Sequence, residues 1–357
     1  MLSRMTKKIL LCGGGTLGPV TPLIAVVRRM RQLAPGLEFA WAGTPDGPEK
    51  SLVAREGIPF YAVKVAKLAR FPSLNWLTFP FDYTAASAQA AQIIKLFKPD
   101  LVVGAGGFTQ VPVMHQALSH GISCAIHQLD RQPVRSNSLL AKRSAIVTCS
   151  LGWYGKELAG KAQKVKTPCR FAGVTTESKK DAAARFKLDA TRPIIFVTGG
   201  GTGALSLNRG LAKILSTLLA DAQIIHLTGK DKGDGAIQRP GYFVSDTFDE
   251  ADMLSAYAAA DLVVSRGGFG SLSELAALSK PAIIVPLPGP QNANTEALKG
   301  AIVVIKQEGE FAPRLRQAIL DLLDDANKRE SLGKKLNQAL PTDDGKELAE
   351  KWLGLLR

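Results

Sequence analysis

The sequence predicts an α/β protein of two similar halves, each a parallel sheet wrapped by helices on both faces. Three observations predict it. First, the apolar run Ile9-Leu10-Leu11-Cys12 breaks at Gly13-Gly14-Gly15-Thr16-Leu17-Gly18, and Ile194-Ile195-Phe196-Val197-Thr198 breaks in the same way at Gly199-Gly200-Gly201-Thr202-Gly203. Each reads as a short buried strand, a glycine turn and the start of a helix. Second, the stretch from Pro99-Asp100-Leu101 to Gly106-Gly107-Phe108 resembles the stretch from Ala260-Asp261-Leu262 to Gly267-Gly268-Phe269. Third, strand-like and helix-like patterns alternate throughout, as a parallel sheet requires. At 357 residues the chain matches two domains of roughly 100–200 residues each. Two such halves are expected to face each other across a cleft, where ligands tend to bind.

In the first half, strands are expected at residues 8–12, 38–42, 60–63, 101–103, 124–127 and 145–149. Between the first two, Leu23, Val26, Val27, Met30 and Leu33 recur at helical spacing and predict a helix over 21–33. A second helix is expected over 84–97, stopping before Lys98-Pro99. The polar stretch 160–167, closed by Pro168, reads as the exit from the first domain. The second half predicts strands at 194–198, 223–227, 241–244, 262–265 and 282–285, with a further candidate at 301–305. Its helices are expected at 206–219, 253–260, 271–278 and 311–323. The resulting division is residues 1–168, residues 169–340, and a C-terminal segment 341–357. That last segment carries a short amphipathic helix over 346–355 that could cross back onto the first domain.

Composition narrows the function. The formal net charge of +14 points to an anionic partner or to charge dispersed for solubility. No nucleic-acid partner is expected, because zinc-finger spacing, RNP-type motifs and arginine-rich tails are missing and only 6% of residues are aromatic. Cys12, Cys124, Cys149 and Cys169 are isolated in sequence and read as buried free thiols in a reducing compartment. The basic start Met1–Lys8 leads into an apolar run cut short by three glycines, unlike a signal peptide. No run reaches the ~18 apolar residues of a bilayer span.

A strand–glycine–helix unit aims bare backbone N–H groups and a positive helix end at one point, which suits phosphate. Gly13, Gly15 and Gly18 fit G-x-G-x-x-G, but no acid closes the next strand, Glu38–Thr44, as a dinucleotide site requires. No Gly-Lys-Ser/Thr follows either, so the turn is not a P-loop, and no cofactor is expected. In the second half, Arg266 can reach a phosphate, and Glu274 is placed to accept paired ribose hydroxyls. The plain alternative is that Ser271 or Ser273 caps the helix and Glu274 favours its positive end. Downstream, Gln291, Asn292 and Asn294 carry the amide donors and acceptors that recognise sugars, or form an ordinary turn.

Taken together, these segments resemble the MurG family of bacterial lipid-intermediate glycosyltransferases over nearly the whole chain. The matching pieces are Gly13–Thr16 with Val20-Thr21-Pro22, Lys98–Asp100 through Phe108 with Val111-Pro112, and His127-x-x-Asp130 with Asn137. They continue with Gly199–Gly201, Gly203-Ala204 and Asn208, then Arg266–Gly268 with Ser273-Glu274, and Val285–Pro288. The resemblance implies the GT-B architecture of two Rossmann-like domains. It also implies transfer of N-acetylglucosamine, with inversion, from UDP-N-acetylglucosamine to the undecaprenyl-linked muramyl-pentapeptide. By that resemblance the second domain holds the UDP-sugar through Gly201, Thr202, Asn208, Arg266, Ser271 and Glu274. The loop at Phe248 would cover the uracil, and Asn292 and Asn294 would meet the sugar. Gly14, Gly15, Thr16, Gly106, Gly107 and Asn137 of the first domain would take the acceptor diphosphate. Without a strand-ending Asp-x-Asp, no metal is expected, and helix ends, backbone donors and basic side chains must stabilise the leaving UDP. Lys64, Lys67 and Arg70 beside Phe71, Trp76 and Phe79 suit docking on an anionic membrane surface, at the cytoplasmic face in this family. A core loop that buries these aromatics is the alternative.

The chain also departs from the family pattern. Pro19 stands where the family carries a histidine, and Gln128 where His-Glu is usual. Thr202 and Ala293 replace a common glutamine and histidine, and Val174-Thr175-Thr176 follows Gly173 in place of an arginine. These departures leave the general base open. Asp130 is the first candidate and His127 the second, although His127 could equally be a hydrogen-bonded core residue and Asp130 a cap. Two rival readings stay open: a transferase with another lipid acceptor, and a UDP-sugar-binding protein without turnover.

Overall fold

The structure is a computed structural model that describes residues 6–15, 17–65, 75–152, 155–200, 203–233 and 235–356, with the side chains of 75–78 outside the description. The chain forms two compact units, Met1–Arg170 with Asp343–Arg357, and Phe171–Thr342.

The first unit runs β1 (Lys8–Cys12), α1 (Val20–Leu33), β2 (Glu38–Gly43), α2 (Glu49–Arg55), β3 (Phe60–Ala62), α3 (Asn75–Phe97), β4 (Leu101–Gly104), α4 (Gln110–Ser119), β5 (Ser123–Gln128), α5 (Arg135–Ala141), β6 (Ile146–Cys149) and β7 (Ala162–Lys164). The seven strands are parallel in the order β3-β2-β1-β4-β5-β6-β7. Central strands such as β1 are apolar on both faces, as burial between two helical layers demands. Leu10, Val102, Val113, Ile126 and Val147 share the core on one face.

The second unit repeats the plan with α6 (Lys179–Arg185), β8 (Ile194–Thr198), α7 (Leu205–Asp221), β9 (Gln223–Leu227), β10 (Tyr242–Ser245), α8 (Glu250–Ala259), β11 (Leu262–Ser265), α9 (Phe269–Ala277), β12 (Ala282–Ile284), α10 (Pro290–Ala297), β13 (Val303–Val304), α11 (Phe311–Leu323) and α12 (Ala326–Ala339). Its six parallel strands follow the order β10-β9-β8-β11-β12-β13. After Thr342 the chain returns to the first unit, where α13 (Lys346–Gly354) packs on α1 with Trp352 fully buried.

In both sheets the strand order reverses between two central parallel strands, β1/β4 and β8/β11. Ligands of open α/β sheets bind outside the strand ends at such a switch point. The repeated sequence pairs are these two switch points. Their registers correspond: Cys12 pairs with Gly104, and Thr198 pairs with Ser265, so each pair of glycine turns leaves its sheet at the same level.

Two expectations are corrected. Helix α3 begins at Asn75 rather than residue 84 and carries Pro80 inside it. Residues 160–167, read as an exit, supply the edge strand β7, held by the buried Ala162 while Gln163 and Lys164 face solvent.

Candidate functional site

At the switch point of the first unit, the two glycine turns pack backbone against backbone. A Cβ on Gly107 would lie 2.9 Å from Gly14 N, and one on Gly13 would lie 2.6 Å from Gly106 O. The turns therefore form one continuous surface that side chains would prise apart. The indole N–H of Trp41 donates to Gly13 O (2.9 Å), and Gly13 N–H donates to Ala42 O (3.2 Å), tying the first turn to β2.

Internal side chains take part of this surface. Gly15 N–H donates to Glu49 Oε2 (3.1 Å), and Thr44 N–H donates to Glu49 Oε1 (2.8 Å), as does the Thr44 hydroxyl. Glu49 is fully buried. In the second turn, Gly106 N–H donates to Gln110 Oε1 (2.5 Å). Gln110 Nε2 donates to Asn137 Oδ1 (2.8 Å), and Asn137 Nδ2 donates to Gln128 Oε1 (2.7 Å). Gln128 Nε2 donates to the carbonyls of Asp130 (2.8 Å) and Gln132 (3.2 Å), while its Oε1 also accepts Val134 N–H (3.3 Å). Three buried amides thus connect the Gly106 turn to the loop that carries Asp130.

The expected site residues of the first unit take distinct places in this arrangement. Asn137 is fully buried with both ends of its amide bonded, so it braces the turn. The N–H groups of Gly15 and Gly106 are already engaged, whereas Gly14 and Gly107 keep N–H groups without a partner among the described residues. His127 is fully buried, and its Nδ1 lies 2.9 Å from Thr148 Oγ1 and its Nε2 3.2 Å from Ser150 Oγ. Thr148 spends its hydroxyl proton on Ile126 O (3.2 Å), so His127 Nδ1 carries the hydrogen and Nε2 accepts from Ser150. Burial pushes the imidazole down to about 3. A neutral, enclosed ring bonded at both nitrogens sits here as a core histidine. Asp130 is half-buried in its loop.

In the second unit, the turn after β8 is braced by backbone and a hydroxyl. Gly200 N–H donates to Thr198 Oγ1 (3.1 Å), and Gly203 N–H donates to Gly200 O (2.9 Å). A Cβ on Gly200 would lie 3.3 Å from Ser271 Oγ, so this turn meets the start of α9. Arg266, between β11 and α9, is only 4% exposed. Its guanidinium donates to Val285 O (2.9 Å) and Ser206 Oγ (2.6 Å), while Nε finds no partner among the described residues. Burial lowers its pKa, and no described carboxylate pairs with it. Ser265 Oγ beside it is likewise buried and unpartnered. Glu274 is 7% exposed, and Tyr257 O–H donates to its Oε2 (3.0 Å). Phe248 is half-buried against Phe186, Phe196 and Phe243, with ring centroids 5.7, 6.2 and 6.3 Å away.

Two more amides carry internal bonds. Asn208 Nδ2 donates to Thr228 O (3.0 Å) and Lys232 O (2.9 Å), and its Oδ1 accepts from His226 Nε2 (3.1 Å). Every polar group of Asn208 is spent on fastening α7 to the loop after β9. Asn294 is fully buried and donates to Gly267 O (3.2 Å), holding α10 against the Arg266–Gly268 turn. Asn292 is half-exposed on the same helix. Thr16, Lys67, Arg70, Phe71, Gly201 and Thr202 lie outside the described residues, as does the side chain of Trp76. Lys64 sits just after β3, and Phe79 stacks on Tyr83 with centroids 6.1 Å apart. Phe81, one turn of α3 before Thr84, is 77% exposed.

Twin switch-point sheets of this kind are the architecture of the GT-B glycosyltransferases. The glycosyltransferase family 28 N-terminal domain matches residues 9–148, and the family 28 C-terminal domain matches residues 194–348. The chain belongs to glycosyltransferase family 28. It is 33% identical to the UDP-N-acetylglucosamine–N-acetylmuramyl-(pentapeptide) pyrophosphoryl-undecaprenol N-acetylglucosamine transferase of Bifidobacterium adolescentis, over 98% of each chain. With the transferase of the same name from Lachnospira eligens it shares 35% identity, over 90% of this chain and 92% of the other. Among solved structures, Acinetobacter baumannii MurG superimposes with a TM-score of 0.73 at 24% identity, over 98% of this chain and 99% of that one. The UDP-GlcNAc 2-epimerase of Neisseria meningitidis reaches a TM-score of 0.68 at 12% identity, over 97% of this chain and 100% of that one. The fold is therefore shared with enzymes of different chemistry, and the choice of chemistry rests on the residues of the site.

Proposed function

We propose that this protein transfers N-acetylglucosamine from UDP-N-acetylglucosamine to undecaprenyl-pyrophosphoryl muramyl-pentapeptide, forming the disaccharide lipid used for peptidoglycan. The observation that carries this reading is the match, at 33% identity and almost end to end, to transferases of that name. In this reading the second unit holds the donor. A buried guanidinium without a carboxylate partner favours an anion, which supports Arg266 as a ligand of the donor diphosphate. Glu274, oriented by Tyr257, receives the ribose hydroxyls. Ser271 and Gly200 border the phosphates, and Asn292 is the amide left for the sugar.

The acceptor hydroxyl attacks the anomeric carbon, and the bond from that carbon to the diphosphate breaks on the opposite face. Asp130 takes the hydroxyl proton, and UDP leaves with the bonding electrons. Backbone N–H groups and Arg266 stabilise the leaving diphosphate without a metal. Gly14 and Gly107 contact the acceptor diphosphate on the first unit. Among the described residues no helix is long and apolar enough to cross a membrane. Lys64 after β3 and Phe79 and Phe81 in the first turns of α3 support peripheral docking on the cytoplasmic leaflet.

The test is UDP release from UDP-N-acetylglucosamine, with and without a short-chain lipid acceptor, in the presence of EDTA. Acceptor-dependent release that survives EDTA and is lost in Asp130→Asn is the expected result. Tight donor binding with no release on any lipid acceptor would overturn the transferase reading in favour of a binding protein.

A further inference from the structure

The first glycine turn is shaped as an anion cradle, and the protein fills it with its own anion. Glu49 reaches it from the start of α2, a segment with no sequence sign of a ligand-binding role. A Cβ on Gly14, Gly43 or Gly47 would overlap the Glu49 carboxylate or crowd its oxygens, so three glycines leave room for that group. Three donors converge on it: the N–H of Gly15, the N–H of Thr44 and the hydroxyl of Thr44. A fully buried carboxylate is tolerated only with such compensation. The Gly15 N–H, which a bound phosphate would need, is therefore spent internally, while its neighbour Gly14 has an N–H without a partner among the described residues, beside Gly107.

We propose that Glu49 is a positioning residue for the acceptor: its carboxylate stands in for a ligand anion, fixes the first glycine turn and bars phosphate from the inner face. The acceptor diphosphate is thereby confined to the outer edge formed by Gly14 and Gly107. This inference rests on the transferase reading above for its kinetic consequence, but not for its binding consequence.

Two readouts test it on the full-length protein: UDP release kinetics, and calorimetric binding of inorganic pyrophosphate with the donor site saturated by UDP. Glu49→Gln should raise the acceptor KM by about tenfold or more, the usual effect of losing a charge-assisted hydrogen bond, with the donor KM within about twofold of wild type. The same variant should bind pyrophosphate about tenfold more tightly, because an inner donor is released and a negative charge is gone. Glu49→Asp, which keeps the charge, should bind pyrophosphate no more tightly than wild type. A purely structural residue would weaken every ligand when replaced. Unchanged pyrophosphate affinity in Glu49→Gln, or donor and acceptor KM rising together, would overturn the proposal. If Glu49 variants do not fold, Thr44→Val strips one donor from the carboxylate. It should raise the acceptor KM alone by about threefold, and no change would overturn the proposal. A wild type that releases no UDP on the lipid acceptor defeats the functional reading, while the pyrophosphate comparison still decides the role of Glu49.

Discussion

The two switch points have the same strand order and the same register, yet they are charged in opposite senses. In the first unit the glycine turns are braced from inside by a carboxylate and a chain of amides, Glu49 and Gln110–Asn137–Gln128. In the second unit a buried arginine lies beside the turns with one N–H unanswered among the described residues, and Glu274, eight positions further on, is held by Tyr257. The difference teaches that a glycine turn is only a frame. The side chain lodged behind it decides whether the turn is already satisfied or still has charge to offer. In the proposed function the second unit grips the donor through charge, and the first shapes the acceptor site through fixed geometry.

Acid should test how far the likeness of the units extends. Each contains a buried imidazole lowered by desolvation, His127 to about 3 and His226 to about 4. His226 is locked between Tyr242 and Asn208 as His127 is between Thr148 and Ser150. Both folded values lie below the unfolded value of about 6.5, so the unfolded chain binds more protons in the window between. The stabilisation is fully present above pH ~6.5 and falls by roughly 1.4 kcal/mol per pH unit per histidine as pH drops toward the folded values. Denaturant titrations from pH 7 to pH 4 should show this decline, and replacing either histidine by glutamine should flatten it by half. A flat profile in the wild type would break the comparison.

The next largest effect tests the contrast in charge. Arg266→Ala should lower kcat/KM for UDP-N-acetylglucosamine by about 100-fold while leaving the acceptor KM within about threefold. Equal rises in both would mean that Arg266 serves the fold more than the donor. The converse variant is Gln128→Leu. It leaves Asn137 Nδ2, Val134 N–H and two carbonyls without their buried partner and should destabilise the protein by about 1–3 kcal/mol. The acceptor KM should rise about tenfold with UDP affinity unchanged, and a loss of UDP binding would contradict the division of labour. Tyr257→Phe should have the smallest effect, about a threefold rise in donor KM, since it frees one oxygen of Glu274 without removing the carboxylate.

Much of the frame is legible in the sequence because its signals are local. The strands β1, β8 and β11 each contain an unbroken apolar run, and both pairs of glycine turns announce the switch points directly. The limits of reading are equally physical. An amide beside a glycine turn looks the same whether it points at a ligand or inward, so Asn137, Asn208 and Asn294 read as ligand donors although their bonds are internal. Glu49 meets Gly15 only because β1 and β2 are neighbours, a contact spanning 34 positions of sequence with no periodicity to mark it. Pro80 hid the first turns of α3, since proline argues against a helix interior. The edge strand β7 offers one buried residue among polar neighbours, too little for an alternating pattern.

The return of α13 to α1 has a consequence for how the molecule is made. Gly345 sits with φ +91°, and a Cβ there would come within 2.8 Å of Val26 Cα, so this helix seats closely on α1. Cys169 N–H and Lys166 N–H also wait for Asp343 O and Glu347 Oε2, each 2.8 Å away. All seven strands of the first sheet lie before residue 165, but the unit they belong to is complete only with residues beyond 342. The second unit, begun later, can close first. The first unit is thus completed by a helix that follows the whole of the second unit in sequence, so its closure waits on chain made after its neighbour.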